Sequence, residues 1–235
     1  MKMKTFEQVI HANAAHIQSI IDFNADTDQL LFLDFTANNV ELTNETLADT
    51  EMFSRWVDQQ LVKHQARYGI GGYNEHRTIY ARSAHFDTEE EPRRLHLGVD
   101  IWAPAGTAIC NFYEARVHSF ANNNHFGDYG ATIVLAYEMA GYTFHALYGH
   151  LSLESLNGLK EGDFIAAGSK FATLGVKEEN GNWPPHLHFQ MIRDMGKWKG
   201  DYPGVCRFSE REEYLENCPD PNIILALHLH HMGSD

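Results

Sequence analysis

The sequence predicts a mainly β protein, α+β overall, in which a small helical N-terminal extension precedes a domain built on an antiparallel β-sheet. Two observations predict this class. Apolar residues recur at helical spacing near the N-terminus. From residue 76 onward, short runs of β-forming residues alternate with turns rich in glycine, asparagine and proline. We expect an α/β extension over 1–75, a β domain over 76–200 and a C-terminal extension over 201–235 that packs on the domain.

The N-terminal extension combines two amphipathic patterns with one apolar run. Residues 5–23 predict a helix whose apolar face is Phe6, Val9, Ile10, Ile17, Ile20 and Ile21. The run QLLFLDF (29–35) predicts a short buried strand. A second helix is expected to begin at Thr50 as its N-cap. We expect that helix to be ended by glycines, namely Gly69, Gly71 and Gly72.

The β domain is predicted from apolar runs that are each bounded by turn residues. The runs that predict strands are TAICNFYEARVHSF, ATIVLAYEM, YTFHALYGHLS, DFIAAG, KFATLG and LHFQMIR. The segments between them include ANNNHFGDYG and ENGNWPP, which supply the residues that turns require. Trp183, which precedes Pro184 and Pro185, is expected to form one wall of a groove.

Composition and charge exclude several function classes. The formal net charge is −14, which argues against nucleic acid and anionic membranes as partners. No stretch reaches the apolar length of a transmembrane helix. Polar residues interrupt the N-terminal segment, and no leader with a cleavage site is recognisable. We therefore expect a cytoplasmic protein, with export by another route left open. The sequence does not predict the oligomeric state.

The segment PPHLHFQM (184–191) contains two histidines on one face of a predicted strand. Side chains alternate between the faces of a strand, so His186 and His188 project together while Leu187 and Phe189 point toward a core. Such a pair suits a division of labour in which one imidazole binds a metal and its neighbour handles a proton. The alternative is a pair of solvent-facing histidines on an edge strand.

Two other segments contain candidate partners for this pair. In HLGVD (96–100), His96 and Asp100 flank Gly98, which permits a bend that brings the imidazole and the carboxylate together. The alternative is a hydrogen-bonded His–Asp pair in a loop. In YGHLS (148–152), His150 ends a β run, and the alternative is an ordinary polar residue at a strand end.

Together, these segments predict a catalytic zinc centre. His96, Asp100 and His188 form a His₂Asp ligand set, and a catalytic zinc site has three protein ligands and one open position. His150 and His186 remain as second-sphere histidines. A single Zn²⁺ lowers the pKa of a bound water to about 7 and polarises a carbonyl. One histidine can accept a proton and the other can stabilise an oxyanion. We expect His186 to be the base and His150 to stabilise the oxyanion.

The three motifs, in this order, resemble those of the M23 (LytM/lysostaphin-type) zinc metallopeptidases. The resemblance implies that His96, Asp100 and His188 bind zinc and that His150 and His186 assist catalysis. It also implies an antiparallel sheet with an open groove and cleavage of peptide bonds in bacterial peptidoglycan. A longer pattern is similar to M23-type domains fused to class III aminotransferases.

Two features leave a second function open. The chain shows no leader, and KEENGNWPP replaces the usual small, polar loop before the HxH motif. The alternative to a metallo-endopeptidase is therefore a non-catalytic, metal-stabilised binding or regulatory domain that retains the site in the cytoplasm. His85 and Asp87 precede the first motif and are candidates for a fourth ligand.

Overall fold

A computed structural model of the chain describes residues 5–82, 91–226, 228 and 229. The described strands, in chain order, are β1 (Leu30–Phe32), β2 (Tyr68–Gly71), β3 (Leu95–His96), β4 (Val99–Trp102), β5 (Ala108–Cys110), β6 (Ala115–Asn123), β7 (Gly130–Met139), β8 (Tyr142–Leu151), β9 (Phe164–Ile165), β10 (Lys170–Thr173), β11 (His186–Ile192) and β12 (Val205–Cys206). The described α-helices are α1 (Phe6–Ala12), α2 (Asn44–Ala48), α3 (Thr50–Lys63), α4 (Arg211–Asn217) and α5 (Asn222–Leu225).

The centre of the fold is a large sheet. In the described part of the chain it has eight strands in the order β1-β2-β4-β11-β8-β7-β6-β9. Neighbouring strands are antiparallel except for β1 and β2, which are parallel, so the sheet is mixed. Two small antiparallel pairs, β5 with β10 and β3 with β12, complete the β structure of the described residues. The predicted mainly β, α+β fold class is confirmed.

The two faces of the central strands differ in chemistry. Along β4 and β11, the apolar side chains at alternate positions point into the main core; these are Val99, Ile101, Leu187, Phe189 and Met191. The positions between them carry the polar residues Asp100, His186, His188 and Gln190, which are also buried. The strand alternation expected from the sequence therefore separates a hydrophobic core from a polar site on the opposite face.

The first predicted helix is shorter than its apolar pattern. The helix α1 ends at Ala12, because the Asn13 side chain donates to the carbonyl of Val9 and a 3₁₀ turn follows over Ala14–His16. The expectation of one helix over 5–23 is wrong in length. Its apolar face is nevertheless buried throughout, including Ile17, Ile20 and Ile21 in the non-helical part.

The predicted ends of the second helix also need correction. The N-cap of α3 is Asp49 rather than Thr50, because the Asp49 carboxylate accepts hydrogen bonds from the backbone of Glu51 and Met52. At the other end, Gln65 adopts a left-handed φ of 53° and terminates the helix. The glycines expected to end it lie further on. Gly69, in β2, leaves room for Leu33, whose Cδ1 would lie 2.6 Å from an added Cβ.

The segments before and after the predicted β domain pack closely against it. Strand β2 pairs with β4, and Gly71 lies opposite Asp100. Phe53 of α3 contacts Trp102 of β4, with ring centroids 5.6 Å apart. Strand β12 pairs with β3, and Val205 lies opposite His96. The boundaries at residues 75 and 200 stay predictions.

No helix among the described residues is both long enough and apolar enough to cross a membrane.

Phe53→Ala is expected to reduce the free energy of unfolding by about 3–5 kcal/mol, because the buried ring fills the interface between α3 and the sheet. Urea unfolding measures the change. Val62→Ala, at an exposed position of the same helix, should change stability by less than about 0.5 kcal/mol. Equal effects of the two substitutions would contradict the packing of α3 on β4.

Candidate metal centre

The register of two neighbouring strands brings Asp100 and His188 together. Strand β11 runs antiparallel to β4, and His188 lies directly opposite Asp100. Directly opposed residues point to the same face of a sheet. His96 ends β3, and only Leu97 and Gly98 separate it from β4. Both histidines and the aspartate therefore converge on one point above the polar face.

Gly98 is required at this point for space. A Cβ added at Gly98 would lie 2.7 Å from the carbonyl oxygen of Phe189 and 2.8 Å from Cε1 of His188. Any larger residue would push the His188 ring out of the site. The chain bends at Gly98, as expected from the sequence, and it does so without a positive φ. Gly98 therefore contributes both the bend and the close approach.

The three ligand atoms form a compact triangle. His96 Nε2 lies 3.0 Å from His188 Nδ1 and 3.3 Å from Asp100 Oδ1, and His188 Nδ1 lies 3.1 Å from Asp100 Oδ1. A tetrahedral zinc ion with ligand bonds of about 2.0–2.1 Å separates its ligand atoms by about 3.3–3.4 Å. Across the described residues, this is the one group of three or more His, Cys, Asp or Glu side chains close enough to share an ion. The donor set fits zinc.

Hydrogen bonds fix which ring nitrogen of each histidine faces the triangle. His96 Nδ1 donates to the carbonyl of Gly72 at 2.8 Å, which leaves Nε2 unprotonated. His188 Nε2 donates to Gln190 Oε1 at 2.9 Å, which leaves Nδ1 unprotonated. The Gln190 amide in turn donates to the carbonyl of Pro203 at 3.1 Å. Such outer partners orient metal ligands and raise their basicity.

Burial and charge set the protonation states that a cation requires. Burial lowers the pKa of His96 to about 3, and the Arg77 guanidinium acts in the same direction. Burial opposes ionisation of Asp100, but the adjacent Arg77 guanidinium holds the pKa of its carboxyl well below the usual value. At neutral pH the imidazole of His96 is neutral and Asp100 is ionised, as metal ligands must be.

The two predicted catalytic histidines lie side by side next to this triangle. The ring centroids of His150 and His186 are 4.1 Å apart. Each ring donates Nδ1–H to a backbone carbonyl at 2.7 Å, that of Asn180 for His150 and that of Pro184 for His186. Both therefore present an unprotonated Nε2. Burial lowers the pKa of His186 to about 4 and that of His150 well below its usual value.

The surrounding structure holds both rings in place. His186 lies opposite Trp102 in the register and stacks on its indole, with centroids 4.0 Å apart and planes inclined by 14°. His150 adopts a left-handed φ of 61°, which is rare for a residue with a side chain. Backbone hydrogen bonds from His150 to Tyr129 and from Gly175 to His150 maintain that conformation. Strain of this kind often marks a functional site.

A cavity of about 210 Å³ opens beside these side chains. Aromatic residues form much of its wall, namely Tyr80, Trp102, Tyr129, Trp183, Trp198 and Tyr202. Trp183 was expected in this place from the sequence. Asp100, His150, His186 and His188 also line the cavity, so it gives access to the predicted site.

The structure rejects the alternative interpretations of the three motifs. His186 and His188 are each 3% exposed and lie in a central strand, so they are not solvent-facing residues of an edge strand. His150 is 5% exposed and contacts the other histidines rather than solvent. His96 and Asp100 do not form an isolated pair, because His188 joins them. His85 and Asp87 lie outside the described residues.

Sequence reasoning missed two residues of the site. Gln190 follows His188 by two positions, so strand alternation places it on the same face, and this signal was available. Arg77 is fully buried, and its Nη1 lies 2.5 Å from Asp100 Oδ2. Its sequence neighbourhood carries no motif, and only the fold places it beside Asp100.

The segment of the chain that contains this site matches a known protein family. The model for peptidase family M23 matches residues 94–199, which contain all five side chains predicted for the site. Residues 94–199 are an M23 peptidase domain. The family resemblance of the three motifs is thereby confirmed. The similarity to domains fused to class III aminotransferases stays a prediction.

Individual relatives of the M23 domain are distant. The L-Ala--D-Glu endopeptidase of Bacillus subtilis (strain 168) is 31% identical over 130 residues, which cover 52% of this chain and 37% of that protein. The match thus spans little more than a third of the relative's length. The catalytic domain of lysostaphin from Staphylococcus simulans is 20% identical, with a TM-score of 0.41 over 70% of this chain and 98% of that domain. A zinc-containing peptidase from Vibrio cholerae is 24% identical, with a TM-score of 0.34 over 42% and 27% of the two chains.

His96→Ala and His188→Ala are each expected to weaken zinc binding more than 100-fold, because a ligand is lost and even outer-sphere substitutions cost about 10–100-fold. Competition with a chromophoric chelator measures the affinity. His64→Ala replaces an exposed histidine of the same chain and should bind zinc as the unsubstituted protein does. Unchanged affinity in either ligand variant would show that the triangle does not hold the ion.

Proposed function

We propose that this chain is a zinc-dependent endopeptidase that hydrolyses peptide bonds in bacterial peptidoglycan. One observation carries the proposal: a His₂Asp triangle of 3.0–3.3 Å edges lies beside two neutral histidines, within an M23 domain. The named activity of the B. subtilis relative, an L-Ala--D-Glu endopeptidase, supports a peptide substrate of cell-wall type.

In this proposal His96, Asp100 and His188 hold a single zinc ion. Neutral imidazole and carboxylate are ligands that zinc accepts in catalytic sites, with three protein donors and one open position. When bound, zinc polarises a carbonyl and makes water acidic enough to act as a nucleophile near neutral pH. The remaining chemistry is proton transfer, and it depends on the two other histidines.

His186 is the proposed general base. Its Nδ1–H is engaged by the carbonyl of Pro184, so the lone pair on Nε2 is free to accept a proton from the attacking water. The imidazolium that forms can return this proton to the nitrogen of the leaving amine. Stacking on Trp102 fixes the plane of the ring throughout. The same atom therefore serves both proton transfers.

His150 is the proposed partner of the oxyanion. Its Nδ1–H is donated to Asn180, so Nε2 can donate a hydrogen bond only after it has gained a proton. Burial disfavours that proton in the resting site. Negative charge developing on the substrate oxygen raises the proton affinity of a neighbouring imidazole. With a proton taken up from solvent in the cavity that His150 lines, it would become a donor when the oxyanion forms, which is when stabilisation increases the rate.

A second candidate function is a metal-stabilised binding or regulatory domain without catalysis. The observation that favours it is burial, because each of the five predicted site side chains is at most 5% exposed. A site of this kind would still bind zinc and gain stability from it. The two functions differ in whether any peptide is cleaved.

The experiment that separates them is an unbiased cleavage assay. Purified protein with one equivalent of zinc is incubated with peptidoglycan fragments and glycine-containing peptides, and products are identified by mass spectrometry. Cleavage that stops on addition of a chelator and returns with zinc supports the peptidase. Zinc binding and thermal stabilisation without cleavage of any substrate would favour the binding domain.

His186→Ala is expected to lower kcat by about 10²–10⁴-fold, because the base is lost while the three zinc ligands remain. Zinc content, measured on the same preparation, should stay at one ion per chain. His64→Ala is the matched control and should retain full activity. Undiminished turnover in the zinc-loaded His186→Ala protein would remove His186 from the mechanism.

A further inference from the structure

Arg77 connects the metal triangle to a segment that precedes the M23 match. Its side chain is fully buried. Nη1 donates to Asp100 Oδ2 at 2.5 Å and to the hydroxyl of Tyr80 at 3.2 Å. Nε donates to Glu75 Oε2 at 2.7 Å, and Nη2 donates to the carbonyl of Gly72 at 3.1 Å. Every nitrogen of the guanidinium therefore has a partner.

The two oxygens of the Asp100 carboxylate have different partners. Oδ2 is occupied by Arg77, whereas Oδ1 lies 3.3 Å from His96 Nε2 and 3.1 Å from His188 Nδ1. A carboxylate that is free to rotate can offer either oxygen or both to a cation. With Oδ2 held by Arg77, Asp100 presents a single oxygen to the triangle.

The same segment also orients the first histidine. The carbonyl of Gly72 accepts hydrogen bonds from both Arg77 Nη2 and His96 Nδ1. The segment itself is fixed by backbone hydrogen bonds from His96 to Glu75 and from Asn74 to His96. Two of the three ligands are thus oriented by groups at residues 72–77, before the matched region begins at residue 94.

The fold leaves space for the guanidinium at this position. A Cβ added at Gly71 would lie 2.6 Å from Arg77 Nη2. The Phe35 ring lies beside the guanidinium, 5.2 Å from its central carbon. Only a residue without a side chain at position 71 allows Arg77 to reach Asp100 in this conformation.

Stability alone is a poor explanation for a buried ion pair. The cost of removing two charges from water often exceeds their mutual attraction, and apolar replacements are frequently neutral or stabilising. The positive charge of Arg77 does not repel a bound cation, because Glu75 neutralises it and the Arg77–Glu75 pair adds no net charge. The remaining effect of Arg77 is on the orientation of the Asp100 carboxylate.

We propose that Arg77 is a positioning residue of the metal site, which holds Asp100 as a ligand through Oδ1 alone. This inference rests on the zinc site of the proposed function. It extends that site beyond the M23 match, because residues 72–77, which precede the match at residue 94, then contribute to the metal affinity of the domain. Loss of the outer partner of a metal ligand typically weakens metal binding by about 10–100-fold.

The test uses a charge-neutral double substitution in the full chain. Arg77→Met with Glu75→Gln removes the guanidinium and its counter-charge together, so any change in zinc affinity reflects orientation rather than net charge. Zinc affinity is measured by chelator competition, and Co²⁺ is used as a spectroscopic probe of ligand geometry. We expect zinc binding about 10–100-fold weaker and a changed Co²⁺ absorption spectrum.

A surface ion pair provides the matched control. Arg67→Met with Asp28→Asn removes an arginine–carboxylate pair of 2.5 Å that includes no residue of the triangle or its hydrogen-bond partners, and should leave both readouts unchanged. Wild-type zinc affinity together with a wild-type Co²⁺ spectrum in the Arg77/Glu75 double variant would overturn the inference.

A conservative variant keeps the proposal testable if the double variant does not fold. Arg77→Lys retains the charge but replaces a planar fork by a single point donor, which cannot reach Asp100, Glu75 and Gly72 at once. We expect a loss of zinc affinity smaller than that of the methionine variant; none at all would refute the positioning role. These readouts do not require peptide cleavage. A protein that binds zinc through Arg77-positioned Asp100 but cleaves nothing would refute the proposed function and leave this inference standing.

Discussion

The site depends on the register between β11 and β4. His188 can share an ion with Asp100 only because the two residues lie opposite each other on the same face of the sheet. A shift of one residue would move His188 to the core face and bring Phe189 to the polar face. That shift is opposed by the apolar side chains of both strands, which are buried in the main core. The hydrophobic pattern of the strands therefore enforces the chemistry of the site on the opposite face.

The buried site combines neutral histidines with one charged carboxylate, that of Asp100. Each of the four histidines and the aspartate is at most 5% exposed. Desolvation favours the neutral form of an imidazole, and a backbone carbonyl fixes the tautomer of His96, His150 and His186. Asp100 keeps its charge because Arg77 compensates it. The result is one fixed anion among unprotonated ring nitrogens, which is an environment that attracts a divalent cation.

The sequence predicted the parts of this protein that follow from local periodicity and spacing. Strand alternation placed His186 and His188 on one face, and the runs that became β7, β8 and β11 were recognisable from their apolar residues. Helix ends were less predictable, because Asn13 and Asp49 compete with neighbours of similar capping ability. Arg77 could not be predicted, since its partner Asp100 is 23 positions away and its own segment has no repeating pattern. Long-range polar contacts of this kind depend on the tertiary structure alone.

The position at which the M23 match begins explains why residues before it can affect the metal site. At residue 94 the matched region begins next to β3, and β4 would be an edge strand if nothing preceded it. Strand β2 covers that edge and pairs Gly71 with Asp100 and Gly69 with Trp102. An uncovered edge strand exposes unpaired backbone groups and is free to twist. Asp100 is a predicted zinc ligand, and Trp102 stacks on the predicted base His186. Strand β2 therefore restrains both residues. Sheet pairing and metal geometry are in this way coupled through a single pair of strands.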